Sequence, residues 1–204
     1  MINYPGDAEL LRTEIAITAA RMIAEEGTDY GSAKRKAAKL VLGNSKVRGD
    51  ILPDNAQIES EVRQYQALFM GDEQIQRLLQ LRLLACDLME KFADFQPCLT
   101  GAVANGTAGE HSDIYLQLFS ESSKDVAVFL LNAGIDYVVT ETPHFRHPDR
   151  MVETLSFIWK HEGVHLILYE LDDQRGGSKN AAGRSIDRLS ITALRTLIAE
   201  SHTK

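Results

Sequence analysis

The chain reads as an α+β protein, with a helical N-terminal region followed by a mixed, mainly antiparallel sheet and flanking helices. Three observations predict this. Apolar residues recur at helical spacing over roughly the first 95 positions, β-prone runs separated by glycine turns replace them after Phe95, and an amphipathic stretch, Ile191–Glu200, ends the pattern. The division falls between a helical region, 1–94, and an α+β domain, 95–204.

The elements follow in order. Between Ala8 and Glu26, Leu11, Ile15, Ala19, Met22 and Ile23 share one helical face, and Gly27 supplies a stop. Ser32 is expected to cap a short basic helix ending at Gly43. Asp54 with Gln57 has the form of a capping box, after which Ile58, Val62, Tyr65, Leu68 and Phe69 continue a stripe as far as Gly71. Asp72 opens a helix whose Ile75, Leu78, Leu79, Leu84, Leu88, Met89 and Phe92 predict deep burial.

Gln96–Thr100 is then a short strand, and Gly101, Gly106 and Gly109 punctuate a turn-rich stretch with little to pack. Ile114–Phe119 is a strand. Ser122 or Ser123 caps a helix through Asn132 that Gly134 closes. Ile135–Thr140, Val152–Trp159 and Val164–Tyr169 are three further strands, the last two joined by a tight His161-Glu162-Gly163 connection. Pro143–Pro148 is a loop between strands, either open to solvent or able to cover a ligand with two imidazoles, a phenyl ring and a guanidinium. Asp172–Asn180 is a polar loop.

Composition narrows the function classes. The chain has 204 residues with 22 Lys+Arg against 29 Asp+Glu, a net charge of -7, so it has no surface-wide grip on a phosphate backbone. No apolar run approaches the roughly 20 residues of a membrane span, and the start MINYPGDAELL has no secretory pattern. Two cysteines, Cys86 and Cys98, lack metal-ligand spacing and predict a reducing cytoplasm. The cations are unevenly placed. Lys34, Arg35, Lys36, Lys39, Lys46 and Arg48 form an island without an acid, and Arg175, Lys179, Arg184, Arg188 and Arg195 a second excess beside Asp187. The first island is a candidate nucleic-acid or phosphate contact, with a solvated helix face as the alternative.

The most informative segment is Leu99-Thr-Gly-Ala-Val-Ala-Asn-Gly-Thr-Ala-Gly-Glu-His-Ser-Asp-Ile-Tyr-Leu116, which sets a glycine turn after one strand and an aspartate at the head of the next. It resembles the signature of the minimal nucleotidyltransferases of the polymerase-beta-like superfamily, a Gly-Ser turn followed about a dozen residues later by Ser-Asp-aliphatic-Asp-aliphatic. Gly101, Gly106, Ser112, Asp113, Ile114 and Leu116 match it, and the resemblance spans about residues 95–170.

The resemblance implies a nucleotidyltransferase-like sheet, a phosphate-binding turn at Gly101, Ala102, Gly106 and Ser112, and Asp113 as ligand to a divalent metal, Mg or Mn. It also implies a nucleotide or phosphorylated small molecule as partner. The remaining catalytic positions depart from it. Ala102 replaces the serine, Tyr115 replaces the second aspartate with a neutral phenol, and His165 occupies the position that best matches the third carboxylate. Glu170 and Asp172 are the candidate substitute ligands, and Lys124 a cation for phosphate charge. With one carboxylate where three are expected, ordinary two-metal transfer is impaired. A metal site of His111, Asp113 and His165 is a further alternative. So is a non-enzymatic regulatory or nucleic-acid-binding protein working through the basic helix 34–48.

Overall fold

The computed structural model describes residues 5–43, 51–175 and 188–201. Lys46, Arg48, Lys179, Arg184 and Asp187 lie outside them. The chain divides into two compact units, Met1–Gln76 with Gly109–His111, and Arg77–Ala108 with Ser112–Lys204.

The first unit is built on α1 (Pro5–Glu26), α2 (Tyr30–Leu42) and α3 (Asn55–Phe69). Its core joins Ile15, Ala16, Ala19 and Ala20 of α1 to Ala33, Ala37 and Ala38 of α2 and Ile58 and Val62 of α3. Small side chains on both α1 and α2 allow close helix approach. The capping box at Asp54 and Gln57 forms with bonds of 2.9 and 3.0 Å. The cap of α2 differs from expectation. Asp29, one turn earlier, accepts the Ser32 N–H at 2.9 Å, so Ser32 is the donor in the third helical position and the helix starts at Tyr30. Leu68 and Phe69 were expected in the buried stripe and are exposed, because the face of α3 turns past them after Val62 and buries Gln66 instead. Ile75 is likewise exposed.

The second unit contains α4 (Gly71–Lys91) from Arg77 on, then β1 (Cys98–Thr100), α5 (Gly101–Asn105), β2 (Ile114–Ser120), α6 (Ser123–Asn132), β3 (Val138–Pro143), β4 (Met151–Trp159), β5 (Glu162–Glu170), α7 (Leu171–Arg175) and α8 (Ile191–Ser201). The strands form one mixed sheet in the order β1-β2-β5-β4-β3. Only β2 and β5 pair in parallel; the other three neighbouring pairs are antiparallel. The fold is therefore α+β, as the periodicities require. At the β1 edge, Leu99 exchanges two backbone bonds of 2.9 Å with Leu189.

Alternation along the strands gives the sheet two unlike faces. One carries Leu99, Ile114, Leu116, Leu118, Val164, Leu166, Leu155 and Phe157, packed with Leu81, Leu88 and Met89 of α4, Phe92 just after it, Val126 and Leu130 of α6, and Leu194 of α8. By register, the other face carries Tyr115, Gln117 and Phe119 of β2, His165, Ile167 and Tyr169 of β5, and Thr154 and Ser156 of β4. At one end of that face Phe119, Val152 and Tyr169 pack with Phe145 and Leu171. The end where β2 and β5 begin holds the polar groups described below.

Five expectations are corrected here. The 101–109 stretch was expected to pack little, yet Val103 and Ala108 are fully buried, because Gly101–Asn105 coils into a short helix between two glycines of positive φ, Gly101 (72°) and Gly106 (90°). The strand expected at Ile135–Thr140 starts at Val138; Ile135 and Tyr137 turn onto the core instead. The His161-Glu162-Gly163 connection is a two-residue turn at Lys160 and His161, with φ of 49° and 73°, and Glu162 and Gly163 belong to β5. Leu171–Arg175 is a helical turn rather than loop, and residues 176–180 lie outside the described residues. In the Pro143–Pro148 loop, His144 is buried rather than open to solvent. Its Nδ1 accepts the backbone N–H of Arg146 and His147 at 3.0 and 3.3 Å.

Candidate functional site

The antiparallel β1–β2 pair and the parallel β2–β5 pair determine the site. Thr100 lies opposite Tyr115, and Tyr115 opposite His165, so the chain leaves β1 at Gly101 beside the residues that open β2. Gly101 has a positive φ, and a Cβ there would lie 3.7 Å from the Tyr115 ring. In α5 the Ala102 carbonyl accepts the N–H groups of Gly106, Thr107 and Ala108 at 2.9 to 3.1 Å. From α4 the buried Arg82 donates its Nε–H to the Val103 carbonyl at 3.2 Å. Burial lowers the Arg82 pKa from its ordinary value.

Three of the sequence candidates converge. Asp113 Oδ2 lies 3.0 Å from His165 Nε2, and the Tyr115 and His165 rings stack with centroids 4.5 Å apart and planes at 21°. Asp113 and Tyr115 are both accessible, at 45% of the side chain and 38% of the residue. Two further residues join them that the sequence did not single out. Ser156 Oγ is 2.8 Å from His165 Nδ1. Gly163 leaves the space that the Asp113 carboxylate fills, since a Cβ there would lie 2.6 Å from Asp113 Cγ and closer still to Oδ1.

An ionised carboxylate only accepts, so with Asp113 ionised and the ring neutral the imidazole proton sits on Nε2. Nδ1 then carries the lone pair and accepts the Ser156 hydroxyl. The resulting order is Ser156 O–H to His165 Nδ1, and His165 Nε2–H to Asp113. Beside it an open cleft of about 630 Å³ is lined by Asp113, Ser156, Gly163, His165 and His161, with Tyr137, Val138 and Ile158 among its apolar residues.

Other sequence candidates stand elsewhere. β2 and β5 run in parallel from Ile114 and Val164 to Ser120 and Glu170, so Glu170 is five residues beyond His165, roughly 16 Å along the strand. There it pairs with Arg150. Asp172 lies beyond it in α7, and Lys124 opens α6 after the far end of β2. None of the three meets Asp113. Ser112 immediately precedes Asp113 and is half-buried. His111 belongs to the first unit, where its Cβ would meet a Cβ placed on Gly27.

Asp113 and His165 offer a metal one carboxylate and one imidazole; among the described residues no group of three or more His, Cys, Asp or Glu is arranged to hold an ion. On α2, Lys34 donates to Asn55 Oδ1 at 3.1 Å and Arg35 to Ser32 Oγ at 2.9 Å, while Lys36 and Lys39 are exposed. Lys34, Arg35 and Lys39 line a groove of about 350 Å³ with Ala38, Gly43 and Leu52. No helix among the described residues is long and apolar enough to cross a membrane. No family model, curated protein or solved structure matches the chain.

Proposed function

We propose that the chain is a divergent nucleotidyltransferase-like protein, impaired in ordinary two-metal transfer, that binds a nucleotide or another phosphorylated ligand where Gly101, Asp113, Tyr115 and His165 meet. The observation that carries this reading is the convergence itself. A glycine of positive φ, an accessible carboxylate and a stacked ring pair gather at one end of the sheet, through an antiparallel strand–short helix–strand unit. The Tyr115 ring offers a face for a base, and Asp113 offers a hard oxygen donor for a Mg or Mn ion brought with the phosphates. Tyr115 and His165 at the other two positions support impairment, because neither supplies the anionic oxygen needed to hold a second ion.

Thermal-shift titration with the nucleoside triphosphates, with and without magnesium or manganese, tests it. Stabilisation by at least one nucleotide is expected, by about 2–3 kcal/mol at a hundredfold excess over Kd, and Asp113→Ala should lose it. No response to any nucleotide overturns the reading.

A second reading rests on α2. Exposed Lys36 and Lys39 beside Arg35 favour a salt-sensitive contact with RNA or DNA by a non-enzymatic regulatory protein. Filter binding at two salt concentrations, with Lys34, Arg35 and Lys36 neutralised together, tests this; salt-insensitive binding, or none, rejects it.

A further inference from the structure

Ser156 is the group that the nucleotide-binding reading leaves unused. It stands opposite His165 across the antiparallel β4–β5 pair, with Oγ 2.8 Å from Nδ1, while the far nitrogen of the ring is 3.0 Å from Asp113. A hydroxyl held against an imidazole whose other nitrogen is held by a carboxylate is the arrangement that activates serine for nucleophilic attack. Here the base is Nδ1 and the anchored nitrogen Nε2. Either ring nitrogen can act as base once the other is held as N–H. Two restraints fix the ring in that orientation, the parallel stack of Tyr115 and the seat that Gly163 leaves for the Asp113 carboxylate.

The surroundings indicate the substrate. Among the described residues lining the cleft there is no lysine or arginine, and two carboxylates, Asp113 and Asp136, are present. A free anion gains little from such a lining. Val138, opposite Ser156 across the β3–β4 pair, and Ile158, two residues along β4, are 65% and 72% exposed and supply an open apolar surface beside it. That surface suits the hydrocarbon part of a neutral ester.

We infer that Ser156 is a nucleophile activated by the His165–Asp113 pair, and that the cleft beside it takes neutral carboxylic esters. Ser156 Oγ bonds to the ester carbonyl carbon as its proton passes to His165 Nδ1. The C–O bond to the alcohol then breaks and the alcohol leaves with that proton. Water next attacks the acyl-serine, giving its proton to Nδ1. The serine takes the proton back as the carboxylic acid departs, with no oxidant or metal consumed. Asp113 stays ionised and stabilises the imidazolium formed in each half.

The test is covalent labelling of the full chain with an alkyl fluorophosphonate, read by peptide mass spectrometry, with hydrolysis of p-nitrophenyl acetate and butyrate alongside. In labelling, Oγ bonds to phosphorus and fluoride leaves. The expected result is one label on Ser156. The rate should fall at least about 100-fold in His165→Gln and Asp113→Asn, and ester turnover should be lost in Ser156→Ala. No label on Ser156 in the unaltered protein overturns the inference without recourse to any variant. Labelling that persists in His165→Gln overturns the role of the pair, and labelling without ester turnover overturns the assigned substrate. None of these readouts uses a nucleotide, so they stand or fall independently of the nucleotide titration.

Discussion

At the scale of single residues, Gly163 shows why part of the site was hidden. In the sequence it marks a turn, the commonest role of a glycine between two β-prone runs. In the fold it is a strand residue in extended backbone, and its missing side chain makes room for the Asp113 carboxylate arriving from ahead of β2. A close approach by a group so distant in sequence leaves no local mark. Asp113, Tyr115 and His165 were legible because their motif is local and because parallel pairing of β2 and β5 sets the last two side by side. Gly163→Ala should destabilise the second unit by about 1–3 kcal/mol, the usual cost of forcing atoms into filled space. Adding Asp113→Ala should recover most of that loss, since the obstructing carboxylate is then gone. A denaturation double-mutant cycle measures the coupling, and additive effects would mean that the methyl is accommodated some other way.

At the scale of elements, the β4–β5 hairpin decides which side chains meet. Strands 152–159 and 164–169 and their antiparallel pairing were legible from β-branched and aromatic runs, but the turn was not. Placing it at His161-Glu162-Gly163 would set Trp159 opposite His165. The actual turn at Lys160 and His161 sets Ser156 there instead. The signal for such turns is Asn-Gly or Asp-Gly, whose residues adopt positive φ readily. Lys-His does not carry it, although both residues hold positive φ here. That conformation costs a non-glycine residue about 1–2 kcal/mol. Replacing the pair by Lys160→Asn with His161→Gly should therefore raise unfolding stability by about 1 kcal/mol, or roughly 3–5 °C in midpoint. The exposed Lys160–Asp87 ion pair lost in the exchange is worth little. Thermal melts of the two proteins check this; an unchanged or lower midpoint would show that the turn is not strained.

At the scale of the whole molecule, the net charge of -7 hides where pH acts, because the groups whose titration is coupled to folding are those tied to particular partners. Glu162 accepts two bonds of 2.6 Å from Arg77. The Arg77 hydrogen bonds, then its charge, hold the Glu162 carboxyl below its usual range against the opposing effect of burial. The native state then binds fewer protons than the unfolded chain near the ordinary carboxylate pKa, so this stabilisation is present above it and is lost as pH falls through the lowered value. At the other extreme, burial pushes the Tyr169 phenol up to about 12, with the Arg188 charge opposing it. An unfolded tyrosine titrates near ~10. Between those values the native state keeps a proton that the unfolded chain has released, so stability falls as pH rises from about 10 to about 12, by about 2–3 kcal/mol in all. Both residues belong to the second unit, and so does Trp159, the single tryptophan of the chain. Its fluorescence therefore reports that unit, while helical circular dichroism sums over both. Glu162→Gln should cost about 1 kcal/mol at neutral pH and flatten the acid limb of a Trp159-monitored stability curve. Tyr169→Phe should leave neutral stability within about 1 kcal/mol and flatten the alkaline limb. Parallel alkaline loss in Tyr169→Phe and the unaltered protein would show that the phenol is not the group whose burial couples pH to folding.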